Sequence, residues 1–145
     1  MSKERFQLRA AVYLMLIKDG KILLSRRYNT GWMDGKYSLI SGHLDGGETI
    51  SKAMIREAFE EANIKIDNKD LIPATVTHRM SDVEYVDFFY IASKWGGEPR
   101  IMETDKCDEL KWFPLDNLPN NLLTHIRMAI VSYQNRVAFF ESGWN

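Results

Sequence analysis

Between Gly42 and Ile64 the chain reads GHLDGGETISKAMIREAFEEANI, a glycine-rich stretch running directly into an acidic, amphipathic segment. Gly42, Gly46 and Gly47 open backbone paths closed to other residues and suit a loop lying close to a ligand. From Glu48 the pattern turns helical and continues to a break near Asn63. Thr49 can cap that helix, although Lys52 stands where a capping box has Glu. At about 100° per residue, Glu57, Glu60 and Glu61 fall on one arc about 100° wide. Like charges so close repel one another, so the cluster either faces solvent or holds a cation. An all-oxygen set suits a hard divalent ion such as Mg²⁺. Ile50, Ala53 and Met54 share the glutamates' side, while Ile55, Ala58, Phe59 and Ala62 lie opposite. The expectation is a helix packed on two sides, with its carboxylates directed into a partly enclosed site where uncompensated charge is costly. Arg56, four residues before Glu60, can neutralise and orient part of the cluster.

The rest of the chain frames this segment. The apolar run 10–17 reads as a strand, Lys18-Asp19-Gly20-Lys21 as a hairpin turn and 22–25 as a second strand. Residues 29–36 form a loop, 37–40 a brief strand and 41–47 the glycine loop. Beyond the helix, 73–79 and 83–93 read as strands, the second nearly continuous and buried. Trp95-Gly96-Gly97-Glu98-Pro99 is a turn and 110–114 a short strand. Apolar residues at helical spacing (Leu122, Ile126, Ala129, Ile130, Tyr133, Val137) predict a helix over 122–140. Strands around two helices, without linker or repeat, imply one α/β (α+β) domain with a mixed sheet.

Composition removes several alternatives. The 19 Lys+Arg and 20 Asp+Glu nearly cancel, which argues against a generic nucleic-acid binder. The balance is uneven, however: residues 42–64 hold 5 acidic and 2 basic side chains, residues 1–41 hold 3 and 8. The single cysteine, Cys107, leaves no internal disulfide and no CxxC pair for zinc, and fits a reducing, cytoplasmic setting. No stretch approaches the length of a membrane span, and the charged MSKERFQLRA start lacks a following signal-type apolar core.

Gly42, Glu48, Arg56, Glu57, Ala58, Glu60, Glu61 and Ile64 reproduce the spacing of the Nudix box, a glycine, five residues, Glu, seven residues, then Arg-Glu-aliphatic-x-Glu-Glu-x-Gly-aliphatic. The chain resembles MutT-like Nudix hydrolases, and Trp95–Pro99 and Trp112-Phe113-Pro114-Leu115 extend the resemblance. Asn63 replaces the box's final glycine; Asn is the next most tolerant of a left-handed C-cap, so the fold is expected to survive. The resemblance implies a single Nudix domain over 1–145, a mixed sheet sandwiched between helices. It also implies Mg²⁺- or Mn²⁺-dependent hydrolysis of a diphosphate linkage in a nucleotide derivative. Glu57, Glu60 and Glu61 would be catalytic metal ligands, the Gly42 carbonyl completing the shell and Glu103 adding a carboxylate from outside the box. The Arg56–Glu48 pair would hold the glutamates in place.

Substrate contacts are less legible. Arg26 and Arg27 end the second strand; one should face inward to meet phosphate and the other solvent. His43 is a phosphate contact or a loop support. Trp32, Tyr37, Phe88 and Tyr90 could stack a base or fill the core, and Asn29 and Asp34 could read base edges or build the turn; Trp95 and Trp112 read as core. The leading expectation is a nucleoside triphosphate pyrophosphohydrolase. An ADP-ribose or nucleotide-sugar pyrophosphatase is the second reading and a non-catalytic nucleotide-binding regulatory module the third, which the complete set of acids opposes. Related proteins occur as monomers and dimers, so a homodimer stays open.

Overall fold

Every residue from Ala11 to Leu16 is buried. Such a strand must be covered on both faces. Ala11, Tyr13 and Met15 enter one apolar cluster, while Val12, Leu14 and Leu16 enter another. The computed structural model describes residues 4–145, so the first three residues of the charged N-terminal stretch lie outside the described residues. In it this strand, β1 (Arg9–Lys18), is central. Asp19 and Gly20, with φ of 53° and 73°, make the tight turn to β2 (Lys21–Arg27). There follow β3 (Tyr37–Ser38), β4 (Ile40–His43), α1 (Ile50–Ala62), a 3-10 turn at Asn68–Asp70, β5 (Ile72–Met80), β6 (Glu84–Ala92), β7 (Cys107–Pro114), α2 (Thr124–Gln134) and β8 (Phe139–Ser142).

β1 pairs antiparallel with β4 on one side and parallel with β6 on the other. β6 continues antiparallel to β5, and β5 parallel to β8. Past β4, the end of β1 pairs with β2, which carries β3 and β7. α1 packs in the cluster of Val12, Leu14 and Leu16, and α2 in that of Tyr13 and Met15. This is the expected mixed sheet between helices. Among the described residues no helix is long and apolar enough to cross a membrane.

Three expectations change. The helix expected over 122–140 stops at Gln134: Arg136 turns left-handed (φ 58°), the Val137 N–H closes on the Ser132 carbonyl at 2.8 Å, and Phe139–Ser142 becomes an edge strand. The stretch 83–93 is not buried throughout; Tyr85, Asp87 and Phe89 face inward in alternation, and Val83 is exposed at the hairpin. α1 is not apolar on two sides, because Phe59 is 45% exposed and the buried face is Ala53, Met54, Ala58 and Ala62.

Candidate active site

The ends of α1 are fixed as the sequence suggests. Thr49 accepts from the Lys52 N–H at 3.2 Å. Asn63 takes the left-handed conformation (φ 61°), and the Ile64 N–H reaches back to the Ala58 carbonyl at 3.2 Å, closing the helix end with Ile64 buried. Two further carbonyls of the last turn are met from outside the helix. Arg100 N–H donates to Ala62 O at 3.1 Å and Met102 N–H to Glu61 O at 3.2 Å. That docking brings Glu103 to the same cavity as Glu57, Glu60 and Glu61. Gly42 lies on β4 beneath the helix. A Cβ there would overlap the Glu57 carboxyl, so this glycine is required by close approach rather than by its φ.

Arg56 sits amid the acids. Its Nη2 lies 2.7 Å from Glu48, and its Nη1 2.9 Å from Glu57 and 3.2 Å from Glu60. The Arg56 guanidinium holds the Glu48 carboxyl below its usual range. Glu57 moves the other way, because burial outweighs its contact with Arg56. Glu61 accepts from the Ser41 N–H at 3.1 Å but makes no ion pair among the described residues; burial, with Glu103 and Glu57 adding negative charge, pushes its carboxyl up to about 8.

These groups line a cavity of about 860 Å³ that also takes in Arg26, Arg27, Asn29, Trp32 and His43. Arg26 is committed to Asp108 at 2.8 Å and Glu109 at 3.4 Å. Arg27 has no carboxylate partner among the described residues; it donates to Trp32 O at 2.8 Å and Thr30 Oγ1 at 2.9 Å, and its Cζ lies 4.9 Å from the Trp32 ring centre. Both arginines thus border the cavity, against the expectation that one would face solvent; what separates them is that Arg27 alone of the two lacks an acid partner among the described residues.

Comparison with known proteins gives the family. The NUDIX domain model matches residues 6–132. The chain belongs to the Nudix family. It is 30% identical over 86% of its length to an ADP-ribose pyrophosphatase of Methanocaldococcus jannaschii, covering 74% of that protein. It is 28% identical over 73% of its length to an oxidized purine nucleoside triphosphate hydrolase of Danio rerio, covering 66% of it. Against an NAD-capped RNA hydrolase NudC of Chromobacterium violaceum it is 27% identical and spans only 38% of the relative. The crystal structure of a MutT NUDIX hydrolase from Burkholderia pseudomallei superposes with a TM-score of 0.80 at 30% identity, over 87% of this chain and 98% of that one.

Not every expected contact of this Nudix chain reaches the cavity. Asp34 builds the loop, accepting from the Thr30 and Gly31 N–H groups at 3.0 Å each. Tyr37 is buried and donates to Glu109; Phe88 and Tyr90 pack toward α1. Trp95 and Trp112 stack on each other at 5.8 Å beside the core, as expected. His43 is exposed at the rim, 5.9 Å from the Tyr85 ring. Conversely, Tyr13, Arg79 and Tyr85 line the cavity although nothing in their local sequence singled them out. The one available signal was charge in strands: a buried-strand pattern interrupted by Arg79 and Asp87 requires a partner. These two form a buried pair, Nε to Oδ2 at 2.7 Å.

Proposed function

We propose that this Nudix hydrolase splits a diphosphate linkage of a nucleoside triphosphate, releasing a nucleoside monophosphate and pyrophosphate. One observation carries this reading: the carboxylates of Glu57, Glu60, Glu61 and Glu103 and an Arg27 cation with no ion-pair partner among the described residues line a single cavity large enough for a nucleotide. The donor chemistry fits a divalent ion, since Glu57, Glu60, Glu61, Glu103 and the Gly42 carbonyl are all hard oxygens and the buried Glu61 carboxyl is pushed up by burial and by the negative charge of Glu103 and Glu57. Among the described residues no three acidic or His/Cys side chains converge as a ready-made ligand cluster, and Arg56 is drawn between Glu57 and Glu60 instead. Glu57, Glu60, Glu61 and Glu103 would therefore rearrange around Mg²⁺ or Mn²⁺, which supplies neutralisation of phosphate oxygens and an acidified water.

The protein's own groups do the positioning. Glu48 fixes Arg56, and Arg56 in turn orients Glu57 and Glu60. Arg27 and His43 bind phosphate oxygens, the first as a fork already aimed by the Trp32 and Thr30 contacts. A carboxylate of the same cluster takes the proton from the attacking water. Asn29 and Trp32, on the loop closed by Asp34, meet the base side of the substrate. Arg26 keeps β7 against β2 through Asp108 and Glu109. The reading places the whole of 1–145 at work as one domain in the cytoplasm, on free nucleotides rather than nucleic acid. A homodimer is compatible with it.

A second reading, ADP-ribose or nucleotide-sugar hydrolysis, is favoured by the 30% identity to the archaeal ADP-ribose pyrophosphatase. Product analysis decides between the two. The purified chain with Mg²⁺ is assayed against nucleoside triphosphates and diphosphate derivatives. Pyrophosphate plus a monophosphate supports the first reading; AMP plus a sugar phosphate supports the second. Absence of hydrolysis across the panel would leave a nucleotide-binding module.

A further inference from the structure

The cavity has a second polar end, built from Arg79, Asp87 and Tyr85. The strand registers set its distance from the acids. His43 on β4 stands opposite Ala11 on β1, Ala11 opposite Asp87 on β6, and Asp87 opposite Thr77 on β5, two residues before Arg79. Three strand spacings separate β4 from β5, about 14 Å. A substrate with its phosphates at β4 and α1 extends along this row toward Arg79.

Arg79 is held there rigidly. Its Nε donates to Asp87 Oδ2 at 2.7 Å and its Nη2 to Oδ1 at 3.2 Å, while its Cζ lies 4.3 Å from the Tyr85 ring centre. Nη1 has no acceptor among the described residues. The side chain is 8% exposed and borders both the main cavity and an adjoining one of about 360 Å³. The adjoining space shares Trp32, Arg79 and Ser81 with the main cavity and is otherwise walled by Met33, Met80, Leu123 and Met128 among others. The far end thus combines one rigidly held donor with a largely apolar space that Lys36, Thr124 and His125 also border.

Charge decides what this donor selects. Asp87 cancels the Arg79 charge, so the pair attracts a phosphate weakly compared with Arg27, which has no acid partner among the described residues. Asp87 is fully buried behind Arg79, with each of its oxygens accepting from the guanidinium, so the pair offers a donor and no accessible acceptor for sugar hydroxyls. The exposed Asp82 at the rim can accept from a ring N–H. We infer that Arg79 is the specificity-determining residue for the nucleobase, donating from Nη1 to a ring carbonyl, with the lactam pattern of C=O beside N–H as its preferred edge. This rests on the nucleotide reading of the cavity but not on turnover.

Binding separates the two. Calorimetric titration of the full chain compares inosine 5′-monophosphate with purine riboside 5′-monophosphate, which lacks the carbonyl and the ring N–H. The wild type is expected to bind the carbonyl compound about tenfold more tightly, and Arg79→Lys to reduce that ratio to near one. Should Arg79→Lys fail to fold, Tyr85→Leu, which removes the ring bracing the guanidinium and keeps the ion pair, must lower the preference at least about threefold. Equal binding of the two monophosphates, binding of neither, or a preference that survives the folded variants overturns the inference. Hydrolysis of the triphosphates is scored separately, so inactivity with a retained Arg79-dependent preference refutes the hydrolase reading alone.

Discussion

Two arginines mark the ends of the cavity, and they are held in opposite ways. Arg56 lies partly exposed among Glu48, Glu57 and Glu60, three acids from one loop and one helix. Arg79 is buried against a single acid on the neighbouring strand. The first arrangement leaves excess negative charge and gains little stability, since solvent screens such pairs. The second is electrically closed, and its loss would strand a charge inside the protein. One end is built for charge that arrives with a ligand; the other is already balanced and can serve only shape and hydrogen bonding.

The sharpest way to break this contrast is at Asp87. Asp87→Asn removes the partner of a buried guanidinium and is expected to destabilise the fold by about 3–5 kcal/mol, read by urea unfolding. A loss no larger than that of an exposed pair would mean that water or another group satisfies Arg79. At the other end, Glu61→Gln should fold normally and lose at least about 10²-fold in kcat with Mg²⁺. Near-normal turnover in that variant would remove Glu61 from the metal set.

The contrast also explains what the sequence could disclose. Glu48, Arg56, Glu57 and Glu60 meet within one loop–helix unit, so helical geometry alone brings them together and their spacing is readable. The left-handed C-cap at Asn63 is legible for the same reason. Arg79 and Asp87 meet only because β5 and β6 pair Arg79 with Tyr85 and Thr77 with Asp87. A shift of one residue would turn Arg79 outward and His78 inward, and nothing local fixes that register. The end of α2 failed similarly: Val137 and Phe140 keep helical spacing, yet pairing of β8 with β5 takes precedence.

Gly42 tests how tightly the acid end is built. Gly42→Ala places a methyl group into the Glu57 carboxyl and should cost about 1–3 kcal/mol of stability, with activity falling as Glu57 is displaced. Unchanged stability and activity would show that Glu57 swings away freely. His125 tests the closed end. Burial holds its pKa down at about 3, against 6.5 when unfolded, and its Nε2 lies 3.5 Å from the Tyr13 hydroxyl. Because the folded value is depressed, the stability it confers is complete above pH 6.5 and is lost as pH falls from 6.5 toward 3, by about 1 kcal/mol per pH unit. His125→Gln should flatten that part of the stability curve; an unchanged slope would assign it to other groups.

The smallest stability effect belongs to Glu48, and it sharpens the comparison most. Glu48 accepts both Nε and Nη2 of Arg56 but is only partly buried, and Gln keeps an acceptor for one of these donors, so Glu48→Gln should leave thermal unfolding nearly unchanged. Its consequence is positional: an Arg56 freed from Glu48 can close more fully on Glu57 and Glu60, competing with an incoming cation for the same oxygens. The expected result is about a tenfold loss of activity at limiting Mg²⁺, largely recovered at saturating Mg²⁺. A loss of equal size at every Mg²⁺ concentration would place Glu48 outside the metal's electrostatic reach and make Arg56 a purely structural member of the helix.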